Sequence, residues 1–198
     1  MKTFAAKFIL LFVGYVWHAL LSLIVYPYLI FYLGTTLDRL VLVSILKTEI
    51  PYLYLKGLNE ILAATLAIIG LALIFWSASV LTRHAKFSPF QFIADKKMKP
   101  KSLQSRGPYG LVRHPMLLGY LFLLEGGAVF LGSPVSFAWT VPLFAWAAYE
   151  YAVMVEEKQL VDWFGEKYLD YRKTTPALFP KCRFILKKHE SDKTLKSN

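Results

Sequence analysis

The sequence predicts an all-α protein, a polytopic bundle of about four membrane-spanning helices with additional interfacial helices. Hydrophobic residues make up 56% of the 198 residues and charged residues only 18%, which is more apolar than a soluble domain usually is. The apolar residues lie in runs long enough to cross a bilayer. The net charge is +10. The basic residues that produce it lie mainly between and after those runs, where anionic lipid headgroups would balance their charge.

The first apolar run is Phe4 to Leu33, with Lys2 and Lys7 at its start. It is longer than the core of a signal peptide and shows no small-residue cleavage site, so we expect an uncleaved span. A bend is expected near Pro27, because proline cannot donate a helical hydrogen bond. His18 is interpreted as a histidine that is hydrogen-bonded to a neighbouring helix.

Residues 34–57 are predicted to form an outward-facing connector. Its apolar patch Leu40 to Leu46 is too short to span and is expected to lie in the interface. The second predicted span is Leu58 to Leu81, with Trp76 near its end, where interfacial aromatic residues concentrate.

The connector from Thr82 to Arg113 is strongly basic, and Asp95 is its only acid. Its basic residues are Arg83, Lys86, Lys96, Lys97, Lys99, Lys101, Arg106 and Arg113. The excess of positive charge on cytoplasmic loops places this connector in the cytoplasm, together with both chain termini.

Two further spans are predicted, Met116 to Leu131 and Val135 to Val155, joined by the short turn Gly132-Ser133-Pro134 as a helical hairpin. The chain then becomes polar. A helix is expected to stop at Phe164-Gly165, with the glycine as a left-handed cap. A second short helix carries Tyr168 and Tyr171 to Thr174, Pro176 prevents its continuation, and the polar residues 187–198 are expected to be disordered.

The stretch that opens the third span predicts an anion-binding corner. Pro115 suits the first position of a helix, and His114 before it suits the capping position. The unpaired N–H groups of that helix start, with Arg113 and His114, would attract an anion at the membrane surface. Gly107 and Gly110 would let the backbone approach a ligand closely.

The fourth span is predicted to carry tryptophans and acidic residues on one face. Spacings of seven, four and seven residues separate Trp139, Trp146, Glu150 and Glu157. On a straight helix, these spacings would place all four side chains on the same face. Glu150 in this span and Glu125 in the third are functional candidates, because a carboxyl group in a membrane is costly without a partner. The alternative is a structural carboxyl group bonded to a serine, tyrosine or histidine.

Glu156 and Glu157 lie where the fourth span leaves the membrane. They could be a solvated pair, but the hairpin can bring them to the cationic corner at Arg113 and His114. Such a site offers donors to a carboxylate and acceptors to an ammonium group. Those are the groups at the amino-acid end of S-adenosylmethionine.

Two motifs resemble one known family. Arg-Gly-Pro-Tyr-(x2)-Val-Arg-His-Pro-Met-(x2)-Gly covers Arg106 to Gly119, and Glu-Glu-(x2)-Leu-(x3)-Phe-Gly-(x2)-Tyr-(x2)-Tyr covers Glu156 to Tyr171. This order is similar to the isoprenylcysteine carboxyl methyltransferase and phospholipid methyltransferase superfamily, over about Pro100 to Pro180. The resemblance implies a membrane-embedded methyltransferase that binds S-adenosylmethionine without a Rossmann fold, and the chain has no strand–GxGxxG–helix unit.

The resemblance also implies roles for individual residues. The cofactor-binding residues would be Gly107 (through its backbone), Tyr109, Arg113, His114, Glu156 and Glu157. Glu150 or His114 would be the catalytic base if the acceptor is an amine. The acceptor would be a lipid or a lipid-soluble small molecule. We expect neither nucleic acid nor metal as a partner, and the oligomeric state stays open.

Two positions depart from the family pattern. Leu117 stands where relatives often have tyrosine, and Ala152 stands where enzymes acting on isoprenylcysteine carboxylate tend to have arginine. An arginine fork is the natural partner of a carboxylate, so Ala152 puts carboxyl methylation of prenylated proteins in doubt unless Arg172 substitutes from the tail, which the family pattern does not require. Two other functions remain open: an NADPH-dependent membrane reductase of the sterol reductase type, and a non-enzymatic protein that binds anionic lipid.

The predicted organisation has three parts. Residues 1–99 hold the first spans and the basic loop, residues 100–181 the cofactor-binding core, and residues 182–198 the polar tail. The single cysteine, Cys182, predicts neither a disulfide framework nor a metal site.

Overall fold

A computed structural model of the chain describes residues 20–45, 57–85 and 100–180, together with Val13, Val16 and Trp17. In these residues all regular structure is helical, as the sequence predicts. The predictions about His18, about Cys182 and about the tail 187–198 lie outside the described residues.

Seven α-helices are present in the described ranges, several of them continued by π-helical turns. In the N-terminal half these are α1 (Tyr26–Leu37, flanked by π-helical Leu21–Val25 and Asp38–Ile45) and α2 (Leu58–Val80, continued by π-helical Leu81–Ala85). In the C-terminal half they are α3 (Pro108–Leu111), α4 (Pro115–Phe130), α5 (Val141–Tyr151, between π-helical Ser136–Thr140 and Ala152–Glu156), α6 (Glu157–Phe164) and α7 (Glu166–Thr174).

Two helices are long and apolar enough to cross a membrane, Leu21–Val41 and Leu58–Ala85, and Pro115–Leu131 is apolar but shorter. Large apolar side chains cover their outer surfaces and that of α5; Phe75 is 67% exposed and Trp139 is 72% exposed. Continuous exposed apolar surface of this kind suits contact with lipid. The second span was predicted to end at Leu81, and its helix continues to Ala85.

The predicted connector at residues 34–57 is wrong at its start, because helix continues from α1 through Leu37 and on to Ile45. Asp38 is a charged residue within the predicted connector, but the carboxylate of Asp38 is buried. The Oδ1 atom accepts the N–H of Val135 at 3.0 Å, and Oδ2 accepts the hydroxyl of Ser133 at 2.5 Å. Because the hairpin turn satisfies this carboxylate, the helix does not have to end there.

The main packing interface lies between α2 and α4. Ala63, Gly70 and Ser77 recur every seven residues on α2 and are all buried. A Cβ atom at Gly70 would lie 2.5 Å from the carbonyl oxygen of Gly119, and one at Gly119 would lie 2.7 Å from that of Gly70. These two helices therefore touch through their backbones, as small residues permit in membrane proteins.

The hairpin of α4 and α5 is present, with Gly132 in the turn at φ 60°. The predicted common face of the fourth span is wrong, because Trp139 and Trp146 are 72% and 62% exposed whereas Glu157 is 1% exposed. The π-helical turn Ala152–Glu156 explains the difference. Its i→i+5 bonding shifts the register, so a seven-residue step no longer returns to one face.

Proline and glycine residues lie at several helix ends. Pro27 and Pro142 each lie at the start of an α-helix, directly after a π-helical turn. The altered hydrogen bonding of such a turn can accommodate the missing N–H of a proline. The predicted stop at Gly165 is confirmed. Its φ of 55° is positive as expected, but its ψ of −131° lies outside the left-handed helical region, in a conformation that essentially only glycine adopts.

Candidate functional site

The start of α4 matches the sequence prediction. Pro115 occupies the first helical position, and His114 is the capping residue at φ −118° and ψ 62°. The side chain of His114 makes no capping hydrogen bond to its own helix. It points instead toward the start of α6, as the side chain of Arg113 does.

The chain after α7 supports this corner through its backbone. The N–H of Arg113 donates to the carbonyl of Pro176 at 2.8 Å, and the N–H of His114 donates to that of Ala177 at 3.0 Å. Leu178 is buried in the hydrophobic core beside Leu121 and Leu124. Residues 175–178, here called the bracing segment, therefore hold the Arg113–His114 backbone in place.

Arg113 is committed to partners inside the protein. Its Nε lies 2.9 Å and its Nη2 lies 2.7 Å from Oε1 of Glu157. Its Nη1 donates to the carbonyls of Arg172 at 3.2 Å and Thr175 at 2.5 Å. The two side chains of the ion pair are 11% and 1% exposed. These four contacts occupy most of the five N–H donors of a guanidinium, so Arg113 joins α4, α6 and α7.

His114 stands between two carboxylates. Its Nε2 lies 3.1 Å from Oε1 of Glu157, and its Nδ1 lies 3.5 Å from Oε2 of Glu156. Burial opposes the charged imidazole, but the hydrogen bonds and charges of Glu156 and Glu157 outweigh burial and raise the pKa of His114. This geometry favours the imidazolium, whereas a histidine must be neutral to act as a general base.

Glu157 is held as a carboxylate by its cationic neighbours. Burial alone would raise its pKa, but the hydrogen bonds from His114 and Arg113, together with their charges, lower the pKa of Glu157. All three of these donor contacts reach the same oxygen, Oε1.

The second oxygen of Glu157 is different. Oε2 is buried and accepts no hydrogen bond within the described structure. The Nη1 atom of Arg172 lies 4.0 Å from it, which is beyond hydrogen-bond distance. A buried carboxylate oxygen without a donor is costly, so Oε2 marks a place where a ligand with N–H donors would bind.

Tyr168 adds a second buried group without a partner. Its ring is fully buried, and among the described residues its hydroxyl has no hydrogen-bond partner. Burial, and then the charge of Glu157, raise the pKa of Tyr168, so the hydroxyl is neutral and near that carboxylate. The hydroxyl of Tyr168 and the carboxylate of Glu157 attract each other, but no contact between them meets hydrogen-bond geometry.

Tyr109 and Gly107 lie at the edge of this cluster. The backbone carbonyl of Tyr109 accepts the hydroxyl of Tyr171 at 2.6 Å. Burial, Tyr171 and Glu156 together raise the pKa of Tyr109, which puts its phenol near Glu156. Gly107 is exposed, has a φ of 60°, and faces the indole of Trp76.

The two intramembrane acids are not part of the cluster. Glu150 is half-buried in α5, and in the described structure no hydrogen bond or ion pair joins it to Arg113, His114 or Glu157. Glu125 lies in the middle of α4, and its Oε2 is buried with no hydrogen-bond partner in the same residues. The structure thus brings together Tyr109, Arg113, His114, Glu156 and Glu157.

Sequence reasoning missed two contributions. Tyr168 was recognised as part of a helix and of the motif from Glu156 to Tyr171, but it was given no role at the site. The bracing segment contributes backbone carbonyls. Every residue type has a backbone carbonyl. No side-chain pattern could therefore have identified it.

Comparison with known proteins agrees with the two motifs. The family model described as phospholipid methyltransferase matches residues 58–167, more than half of the chain. This range includes both sides of the Arg113–Glu157 pair.

Curated relatives are named as methyltransferases. The chain is 32% identical over 104 residues to protein-S-isoprenylcysteine O-methyltransferase of Schizosaccharomyces pombe, covering 52% of this chain and 43% of that protein. It is 31% identical over 106 residues to the human protein of the same name, covering 52% and 35%. It is 30% identical over 129 residues to methanethiol S-methyltransferase of Pseudomonas deceptionensis, covering 64% and 48%. The chain thus spans less than half the length of these relatives.

Proposed function

The chain belongs to the phospholipid methyltransferase family, and we propose that it is an integral membrane methyltransferase that uses S-adenosylmethionine. The observation that carries this proposal is the ionised, buried Glu157, which has one oxygen held by Arg113 and His114 and the other without a donor. The related proteins are named for methyl transfer to oxygen or to sulfur, and both reactions need a methyl donor.

The residues present fit the amino-acid end of that donor. Oε2 of Glu157 is an acceptor for an ammonium group, because it is anionic, buried and without a hydrogen bond. Glu156 is half-exposed beside it and would bind the ribose hydroxyls or the ammonium group. Tyr109 and the backbone of Gly107 would line the pocket from the loop before α4. Arg113 and His114 would hold the glutamates in place.

When bound, S-adenosylmethionine supplies a methyl group on a positively charged sulfur, ready for in-line transfer. The chain contributes position and exclusion of water, which together can lower a barrier by roughly 7–11 kcal/mol. The negative charge of Glu157 stays fixed by Arg113 and His114 and needs no rearrangement during the reaction.

The acceptor decides whether a base is needed. A thiolate or carboxylate needs only desolvation, whereas an amine must lose a proton. We propose Glu150 as the base in that case. His114 was the other candidate, but the carboxylates on both sides of its ring favour the imidazolium, which has no free nitrogen to accept a proton.

The acceptor is proposed to be lipid-soluble or a lipid. The relatives named for isoprenylcysteine have lipidated cysteine as their substrate. In this chain Ala152 is 2% exposed and offers no charge to a carboxylate. An acceptor with a thiolate or an amine group suits this site better than an isoprenylcysteine carboxylate does.

We also propose the topology of four spans with both termini in the cytoplasm. Two long apolar helices, the shorter helix α4, and α5 with its π-helical turns would form these spans. The exposed basic residues Arg83, Lys101 and Arg106 lie between α2 and α4, which is the side expected to face the cytoplasm. The Arg113–Glu157 cluster would then lie at the cytoplasmic boundary of the bilayer.

The proposal can be tested with membranes from cells that express the protein. We would incubate them with S-adenosylmethionine radiolabelled in its methyl group and follow the label into lipid, small-molecule and protein fractions. We expect label in an apolar fraction, and less of it with the Glu157→Gln variant. A parallel fluorescence titration with NADPH tests the reductase alternative. Saturable NADPH binding without methyl transfer would favour the reductase, and no binding of either molecule would favour a lipid-binding protein.

A further inference from the structure

Among the described residues, Arg172 is the arginine beside the cluster whose guanidinium makes no hydrogen bond within it. We propose that Arg172 binds the carboxylate of the methyl donor's amino-acid end, while Oε2 of Glu157 binds its ammonium group. This inference rests on the proposed function and adds a residue and a binding mode to it. The resemblance to the family gave Arg172 no such role.

The backbone of Arg172 is fixed at the site. The residue lies in the last turn of α7, and its carbonyl accepts a hydrogen bond from Nη1 of Arg113 at 3.2 Å. Its neighbour Tyr171 is buried and donates to the carbonyl of Tyr109. The side chain of Arg172 therefore starts from a defined position beside Glu157.

The side chain itself is available. It is 48% exposed, whereas that of Arg113 is 11% exposed. Its Nη1 lies 4.0 Å from Oε2 of Glu157, so the two groups attract each other without a hydrogen bond. In the described residues no hydrogen bond from the guanidinium of Arg172 is present, and a guanidinium can bind a carboxylate with two parallel N–H donors.

Geometry links the two halves of the proposal. The ammonium and carboxylate of an amino acid are attached to the same carbon atom. An ammonium group bound at Oε2 of Glu157 must therefore place its carboxylate close to that oxygen, and Arg172 is the cation that already lies 4.0 Å away. The hydroxyl of Tyr168, which interacts electrostatically with Glu157, provides a further donor near that carboxylate.

A purely structural ion pair explains less. Arg172 is half-exposed and 4.0 Å from the buried Glu157, which is too far for a hydrogen bond, so this contact leaves Oε2 of Glu157 without a donor. The neighbouring Lys173 is different, since it is 71% exposed and paired with Asp170 at 2.9 Å. Lys173 therefore provides a matched control, a cation next in sequence that is paired with Asp170 instead of Glu157.

The test uses two ligands and calorimetry on the purified full-length protein. One ligand is S-adenosylmethionine, and the other is its decarboxylated analogue, which keeps the ammonium and sulfonium groups. We expect Arg172→Gln to weaken binding of S-adenosylmethionine by about tenfold to a hundredfold and to leave binding of the analogue unchanged. Unchanged analogue binding also shows that the variant is folded. Arg172→Lys should recover part of the loss, and Lys173→Gln should change neither affinity.

Three results would overturn the inference. Equal weakening of both ligands by Arg172→Gln would show that the arginine does not act on the carboxylate. Unchanged affinity for both would show that it does not contact the donor. If the unaltered protein bound neither ligand, the proposed function would fail as well, so the two failures are distinguishable.

Discussion

Arg113 and Glu157 lie 44 residues apart in the sequence and meet in a buried ion pair, with Nη2 of Arg113 2.7 Å from Oε1 of Glu157. The pair joins the residue before the His114-Pro115 helix start to the first residue of α6. Because Arg113 also binds the carbonyls of Arg172 and Thr175, one guanidinium organises three separate parts of the chain. The other carboxylate oxygen of Glu157 accepts no hydrogen bond in the described residues.

The ion pair should contribute strongly to stability. Arg113→Ala leaves a buried carboxylate without its main partner, which costs about 3–5 kcal/mol in typical proteins. Glu157→Gln should also destabilise, but the double variant should lose clearly less than the sum of the two. Unfolding of the four proteins in detergent would measure this. Strictly additive losses would contradict a direct pair, and Lys173→Gln is the control.

Stability should depend on pH through His114 and Glu157. The folded pKa of His114 is raised above its ordinary 6.5, and that of Glu157 is lowered below its ordinary 4.5. The contribution of His114 is therefore complete below about pH 6.5 and is lost as pH rises through its raised pKa. The contribution of Glu157 is complete above about pH 4.5 and is lost as pH falls through its lowered pKa.

Melting temperatures of the wild type and His114→Gln, measured from about pH 5 to pH 9, test this dependence. We expect the wild type to be the more stable protein near pH 6, and its advantage to shrink at alkaline pH. An advantage that grows with pH would mean that His114 is neutral in the folded protein.

The contact between α2 and α4 should tolerate no added side chain. Gly70→Ala places a Cβ 2.5 Å from a backbone oxygen of Gly119, so the helices must move apart. Overpacking of this kind costs about 1–3 kcal/mol. The control is Ala72→Val, since Ala72 is exposed on the same helix. A melting temperature lowered equally by both variants would argue against the close contact.

Glu150 should matter for catalysis and not for donor binding. If the acceptor is an amine, we expect Glu150→Gln to lower kcat by about a hundredfold to ten-thousandfold, as loss of a general base does. Affinity for S-adenosylmethionine should not change, because no hydrogen bond joins Glu150 to the described cluster. Rate assays with the acceptor found by labelling would measure this. An unchanged kcat with an amine would remove Glu150 from the mechanism.

Much of the architecture could be predicted because local chemistry determines it. Pro115 sets the start of α4, Gly165 ends α6, and the hairpin turn contains Gly132. The meeting of Arg113 with Glu157 was also foreseeable, since a helical hairpin returns the chain to the same membrane depth. These features depend on short segments or on simple topology.

Other features depend on contacts that only the folded chain shows. Asp38 was interpreted as part of a connector, but its burial depends on Ser133 and Val135, almost 100 residues away. The register of the fourth span depends on a π-helical turn, Ala152–Glu156, whose residues look like ordinary helix formers. The free oxygen of Glu157 depends on which donors reach it, and sequence patterns do not specify distances.

Binding of the methyl donor is the most direct test of the site. We would titrate S-adenosylmethionine calorimetrically into the purified protein and into the variants Glu157→Gln and Arg113→Ala, with Lys158→Gln as a control on an exposed neighbour. We expect saturable binding to the wild type and to the control, weaker binding to Glu157→Gln, and the weakest to Arg113→Ala, which also loses its contacts to the bracing segment. Equal affinities in all four proteins would contradict the assignment of the Arg113–Glu157 cluster as the donor site.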